Sequence, residues 1–254
     1  MLSALPAYAA ITANSIPTQG FNPVVEKARI ASRTALKLQE KNVVSNLQQR
    51  AEKEITRRLD FLNQLTTKIG NIKKLSAAQK TDLQSQIQAQ IDGLNALQVK
   101  IKADTDNTTL RTDVNSIINN YYIFLFFREK VDMLVAGDKI AATTENLSQI
   151  ATKLQSRINQ AQANGNDVTG LNASLSDMNA KLTDASTQVD AAQAELIPLT
   201  AQGYPGNKTT LADARTKIQT AVQDLKASYQ DVVSIGQVLK SLKITNPGAS
   251  ASAH

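Results

Sequence analysis

The sequence predicts an all-α fold: an elongated array of two duplicated three-helix units, five to six long helices in all, with coiled-coil-like packing and no sheet. Three observations carry this. No proline lies between Pro23 and Pro198, so nothing in that interval forces a helix to stop by removing a backbone donor. Apolar residues recur in steps of three and four, which keeps them on one face of a 3.6-residue helix. The second half of the chain also repeats the plan of the first.

The elements follow in order. Asn22-Pro23 is a helix start, a side-chain cap followed by proline at the first helical position. From there Val44, Leu47, Ala51, Ile55, Leu59, Leu62, Leu65, Ile69 and Ile72 form a single stripe. They predict a helix of about fifty residues, roughly 70 Å long at 1.5 Å per residue. Leu75-Ser76 interrupts it. Ser76-Ala-Ala-Gln79 is a capping box opening a second helix, whose buried face is Leu83, Ile87, Ile91, Leu94 and Ile101. Asp104 to Asn107 is a turn cluster, with Thr108 or Thr109 expected to cap a third helix.

The repeat is read residue against residue. Leu62-Asn-Gln-Leu-Thr-Thr-Lys-Ile69 matches Leu147-Ser-Gln-Ile-Ala-Thr-Lys-Leu154. Leu83, Ile87 and Leu94 match Leu171, Leu175 and Leu182; Leu110, Ile117 and Phe124 match Leu211, Ile218 and Leu225. The extra residues of the second half sit at Asn164 to Asp167 and between Pro198 and Lys208, both predicted loops. In the last helix Leu211, Ile218, Leu225, Val232 and Leu239 keep a seven-residue spacing. Ala214, Ala221, Ile235 and Leu242 fill the complementary positions, and Ser228 is the lapse. The expected division is a leader remnant and linker at 1–21, helical unit one at 22–136, helical unit two at 137–243 and a disordered tail at 244–254. Near Gly137 the chain either continues straight from one unit into the next or reverses into a thicker bundle.

The Leu-x-Gln-Ile-x-Thr-Lys-Leu segment, the Gly165-Asn-Asp167 turn, and Thr-Thr-Leu before a heptad helix resemble a group of uncharacterised exported helical-repeat proteins. These occur in Gram-positive and candidate-phylum bacteria. The resemblance spans about residues 45–243 and implies export; it brings no activity and no functional residues.

Composition narrows the chemistry. There is no Cys and one His, at the last position, which excludes disulfides, thiolate metal sites, cysteine nucleophiles and two-histidine metal sites within the sequence given. A Ser-His-Asp triad would have to recruit His254 from a Ser/Ala tail. The aspartates stand apart, no glycine-rich phosphate loop is present, and the expectation is a protein that is not an enzyme and holds no cofactor or metal. Ala7-Tyr8-Ala9 has the small-x-small form of a secretory cleavage site after Leu2 to Leu5; this is either a truncated signal peptide, the favoured reading, or an ordinary unstructured N-terminus. No apolar run approaches the ~18 residues that span a bilayer.

Two features stand out as candidate binding elements. Tyr121, Tyr122, Phe124, Phe126 and Phe127 hold five of the ten aromatic residues. Such a run is apolar on every side of a helix, so it is either a buried junction between units or an exposed patch for a partner or membrane. Arg29, Arg33, Lys37 and Lys41 recur at fourfold spacing in a first half of the chain that is strongly basic. Residues 1–130 hold 18 Lys and Arg against 11 Asp and Glu, and the remainder 10 against 11. This stripe is either a solvated face answered by nearby glutamates or a contact for an anionic cell-wall polymer, an anionic leaflet or another envelope protein. Nucleic acid is the weakest of the anionic partners, since no nucleic-acid-binding pattern accompanies the charge. The segment Val24 to Val43 has no counterpart in unit two, and either self-associates or folds back on the bundle. The expected function is therefore a non-catalytic, exported spacer, scaffold or binding module of the bacterial cell envelope. The alternatives are a peripheral membrane-active protein using residues 121–127 and an enzyme with a helix-borne carboxylate site.

Overall fold

Six α-helices account for nearly all of the computed structural model, which describes residues 23–119 and 121–242. They are α1 (Pro23–Asn71), α2 (Ala77–Ala103), α3 (Asn107–Asn119), α4 (Tyr121–Ala163), α5 (Thr169–Leu196) and α6 (Lys208–Ser241). One 3₁₀ turn, Ala201–Gly203, precedes α6, and no strand occurs among the described residues. The leader remnant at 1–21 and the tail at 244–254 lie outside the described residues.

The helix ends follow from local chemistry. Ser76 caps α2 through the expected box: its hydroxyl accepts from the Gln79 backbone N–H at 3.2 Å while the Gln79 side chain accepts from the Ser76 N–H at 2.9 Å. The cap of α3 differs from expectation. Asp106, rather than Thr108 or Thr109, holds that end, its carboxylate accepting from the Thr109 N–H at 2.7 Å and from the Thr109 hydroxyl at 3.0 Å. A carboxylate accepts both bonds at once and carries a full charge to the positive helix end, so it outcompetes a neutral hydroxyl. α4 ends in a Schellman turn: the Asn166 N–H reaches the Ala161 carbonyl and the Gly165 N–H that of Gln162. Gly165 takes φ +81°, the left-handed conformation a side chain disfavours.

The chain divides into two units, Met1–Asn46 and Leu47–His254. In the first, the described side chains from Lys27 to Asn42 are exposed on every face of the helix. In the second, the stripes become the core. Ala51, Ile55, Leu62, Leu65 and Ile69 are buried along α1, Ile72 just past its end, and all five predicted residues along α2. The matched positions of the two halves are buried alike: Leu62 with Leu147, Ile87 with Leu175, Leu110 with Leu211, and Ile117 with Ile218. The pairing fails at Leu65, which is fully buried while Ile150 is exposed.

Helices α4, α5 and α6 close one three-helix core, with Leu154, Ile158, Leu171, Leu175, Met178 and Ile235 at its centre. α4 runs unbroken through Gly137, so the chain continues straight there instead of reversing. The close approach of neighbours explains the glycine: a Cβ at Gly137 would stand 3.2 Å from Val189 Cγ1 and 3.6 Å from Ile218 Cδ1. The N-terminal half of α4 is covered from both sides. Towards α1 it gives Asp132 to Lys68 at 2.8 Å, and towards α6 its Glu129 pairs with Arg215. A helix claimed by two sets of neighbours must be apolar nearly all round, which accounts for the aromatic run at its start.

Candidate functional site

The aromatic run divides by face. Phe126 and Phe127 are fully buried and meet edge to face at 5.3 Å, and Phe124 is 8% exposed. Tyr122, 37% exposed, stacks on Tyr204 with ring centroids 5.6 Å apart, and Lys208 stands over the Tyr204 ring at 5.3 Å. The side chain of Tyr121 lies outside the described residues. The three phenylalanines thus serve as core, and what the run leaves at the surface is Tyr122 and half-exposed Leu125.

The basic stripe is at the surface. Arg29, Arg33, Lys37 and Lys41 are all exposed, and among the described residues only Arg29 of the four has a short ion pair, 2.9 Å to Glu26. At 100° per residue, Lys27 and these four fall within an arc of about 160°. Val24, Ala28, Ala31, Ala35 and Leu38 occupy the opposite side. Five cations share the segment with two carboxylates, Glu26 and Glu40. The apolar side is mostly alanine and too thin to drive burial by itself.

A third feature lies within the second unit, where Arg58 of α1 meets the start of α4. Arg58 is 7% exposed; it donates from Nε to Glu54 Oε1 at 3.1 Å and from a terminal nitrogen to the Ile117 carbonyl of α3. Its guanidinium lies 4.8 Å over the Phe124 ring, a cation–π contact strengthened by the dry surroundings. Beside this pair opens a cleft of about 140 Å³ walled by Arg57, Arg58, Phe61, Phe124, Leu125 and Arg128, with Glu54 at its edge. A second hollow of about 160 Å³, towards α2 and α3, shares Arg58 and Phe124 as its partition. The signal for Arg58 in the sequence is its place three residues after Ile55 and four before Leu62, on the buried stripe.

Two further charged groups are drawn inward. Lys130 is completely buried, and its Nζ donates to the carbonyls of Ile197 at 3.1 Å and Leu199 at 2.7 Å. Burial pushes its pKa down to about 8, against the raising effect of the Asp82 charge. Asp113, 6% exposed, accepts from Lys100 Nζ at 2.7 Å, which raises the Lys100 pKa. Burial, then the neighbouring Asp113, raises the pKa of Asp104. On the other bundle, burial and the adjacent Asp184 raise Asp224.

A groove of about 840 Å³ runs over α4 and α5 and is lined by residues such as Ser148, Thr152, Gln155, Asn159 and Asn179. Its hydroxyls and amides share the lining with Ala151, Ala163 and Leu175, and none of its lining residues is charged. Among the described residues no three His, Cys, Asp or Glu side chains group as metal ligands, and no helix is long and apolar enough to cross a membrane. No protein family, curated protein or solved structure matches this chain.

Proposed function

We propose that this protein is a non-catalytic helical scaffold and binding module of the bacterial cell envelope, exported and held to an anionic polymer of the wall through the first half of α1. One observation carries the reading: Arg29, Arg33, Lys37 and Lys41 all lie exposed along one side of a helical segment with no buried residue between Lys27 and Asn42. Four cations rising about 6 Å per step along a helix suit a polyanion, whose repeating charges meet several of them at once. Export rests on the Ala7-Tyr8-Ala9 leader pattern and on the resemblance to exported helical-repeat proteins. The membrane-active alternative through residues 121–127 is less favoured, because using Phe124, Phe126 and Phe127 would require opening the core they fill.

The test is cosedimentation of the protein with purified cell-wall sacculi and with anionic vesicles at low and high salt. Pelleting with sacculi, lost at high salt and in the Arg29→Gln/Arg33→Gln/Lys37→Gln/Lys41→Gln variant, supports the reading. Pelleting with vesicles alone, or with sacculi but independent of these four residues, overturns it.

A further inference from the structure

We propose that the cleft beside Arg58 binds a small organic anion with an apolar body the size of one aromatic ring. The argument starts from charge. Three guanidinium groups, Arg57, Arg58 and Arg128, wall the cleft with a single carboxylate, Glu54. Glu54 Oε1 is taken by Arg58, which leaves Arg57 at 3.8 Å from Glu54 Oε2, outside hydrogen-bond reach. Arg128 is likewise 3.8 Å from Asp132, a carboxylate already held by Lys68 at 2.8 Å. Two planar donor forks therefore flank the opening without a short-range acceptor among the described residues, in the form that suits a carboxylate or phosphate.

The floor supplies the second half of the specificity. Phe61, Phe124 and half-exposed Leu125 line the cleft with apolar surface, and the Arg58 guanidinium lies over the Phe124 ring. The volume, about 140 Å³, is close to that of apolar cavities that accept benzene. It is smaller than a drug-sized site. An inorganic anion would leave the floor wet, and a neutral ring would leave the arginines unanswered. A ring carrying one acidic group satisfies both. This site is independent of the basic stripe on residues 29–41.

The experiment is a calorimetric titration at low ionic strength with benzoate, acetate and benzyl alcohol. Benzoate is expected to bind with a Kd of about 1 mM, as its roughly nine heavy atoms allow. Acetate and benzyl alcohol are expected at least about tenfold weaker. The Arg57→Gln/Arg128→Gln variant, altered only at exposed positions and so expected to melt as the parent does, should weaken benzoate by about tenfold or more. A benzoate affinity unchanged in that variant, acetate binding as well as benzoate, or no benzoate binding up to about 50 mM overturns the proposal.

Discussion

Lys130 donates its Nζ to the Leu199 carbonyl oxygen at 2.7 Å, so a side chain of α4 closes the loop that leaves α5. The same nitrogen reaches the Ile197 carbonyl at the end of α5, supplying donors where the helix has none left of its own. The arrangement sets a pH dependence. The folded pKa is about 8 while an unfolded lysine titrates near 10.5, so between these values the unfolded chain binds more protons. Stability contributed by this group therefore rises with pH across that window, by roughly 3 kcal/mol. Urea denaturation at pH 7.5 and pH 10.5 should show this rise in the wild type and not in Lys130→Met. Lys130→Ala, which also opens a cavity, should cost about 2–4 kcal/mol at pH 7.5.

At the other end of the pH scale, Asp224 is raised by burial and by Asp184. A carboxyl whose folded pKa lies above its unfolded value gains stability for the fold at acid pH and loses it as pH rises through the folded value. Asp224→Asn removes the like-charge pair. Its melting temperature should exceed that of the wild type by about 2 °C at pH 7 and by less at pH 4, measured by circular dichroism.

Gly137 tests the tight crossing of α4 with its neighbours. Gly137→Leu should destabilise by about 2 kcal/mol, because Val189 and Ile218 leave no room for it. Gly137→Ala should fall within about 1 kcal/mol of the wild type, helix propensity offsetting a contact that needs only a small shift. Denaturation midpoints at equal slope check both.

Ser228 is completely buried in α6, and its hydroxyl is 3.5 Å from the Met178 carbonyl, at the limit of a hydrogen bond. Ser228→Ala gives up little and gains helix propensity, and should stabilise the bundle by about 0.5 kcal/mol, read from the shift of its urea midpoint.

The helices and their buried faces are readable in the sequence because apolar spacing reports directly on which side of a helix meets another. Ser76 and Gln79 are readable because a capping box is local. Charge on the inside is not. Arg58 falls between Ile55 and Leu62, Asp113 between Leu110 and Ile117, and Lys130 between Phe127 and Leu134, each on a buried stripe at helical spacing. Charged residues are read by default as solvated, and only tertiary contacts reveal the carbonyl, ring or ammonium group that makes burial tolerable. The double role of α4 is similarly hidden: an all-round apolar run announces that it must be covered, but not by which helices.

The passage of α4 through Gly137 without a break has one more consequence. Two repeats joined by a flexible turn can change their mutual orientation by gradual drift in the connector. Here the junction is a length of helix, and each residue inserted between Phe127 and Leu147 would rotate everything downstream by about 100° and advance it by about 1.5 Å. A single insertion after Lys130 would turn Glu129 and Lys130 away from Arg215 and the Leu199 carbonyl, whereas seven would nearly restore their heading. The spacing between the repeats is thus quantised, and length variants of this segment are tolerable only in whole heptads.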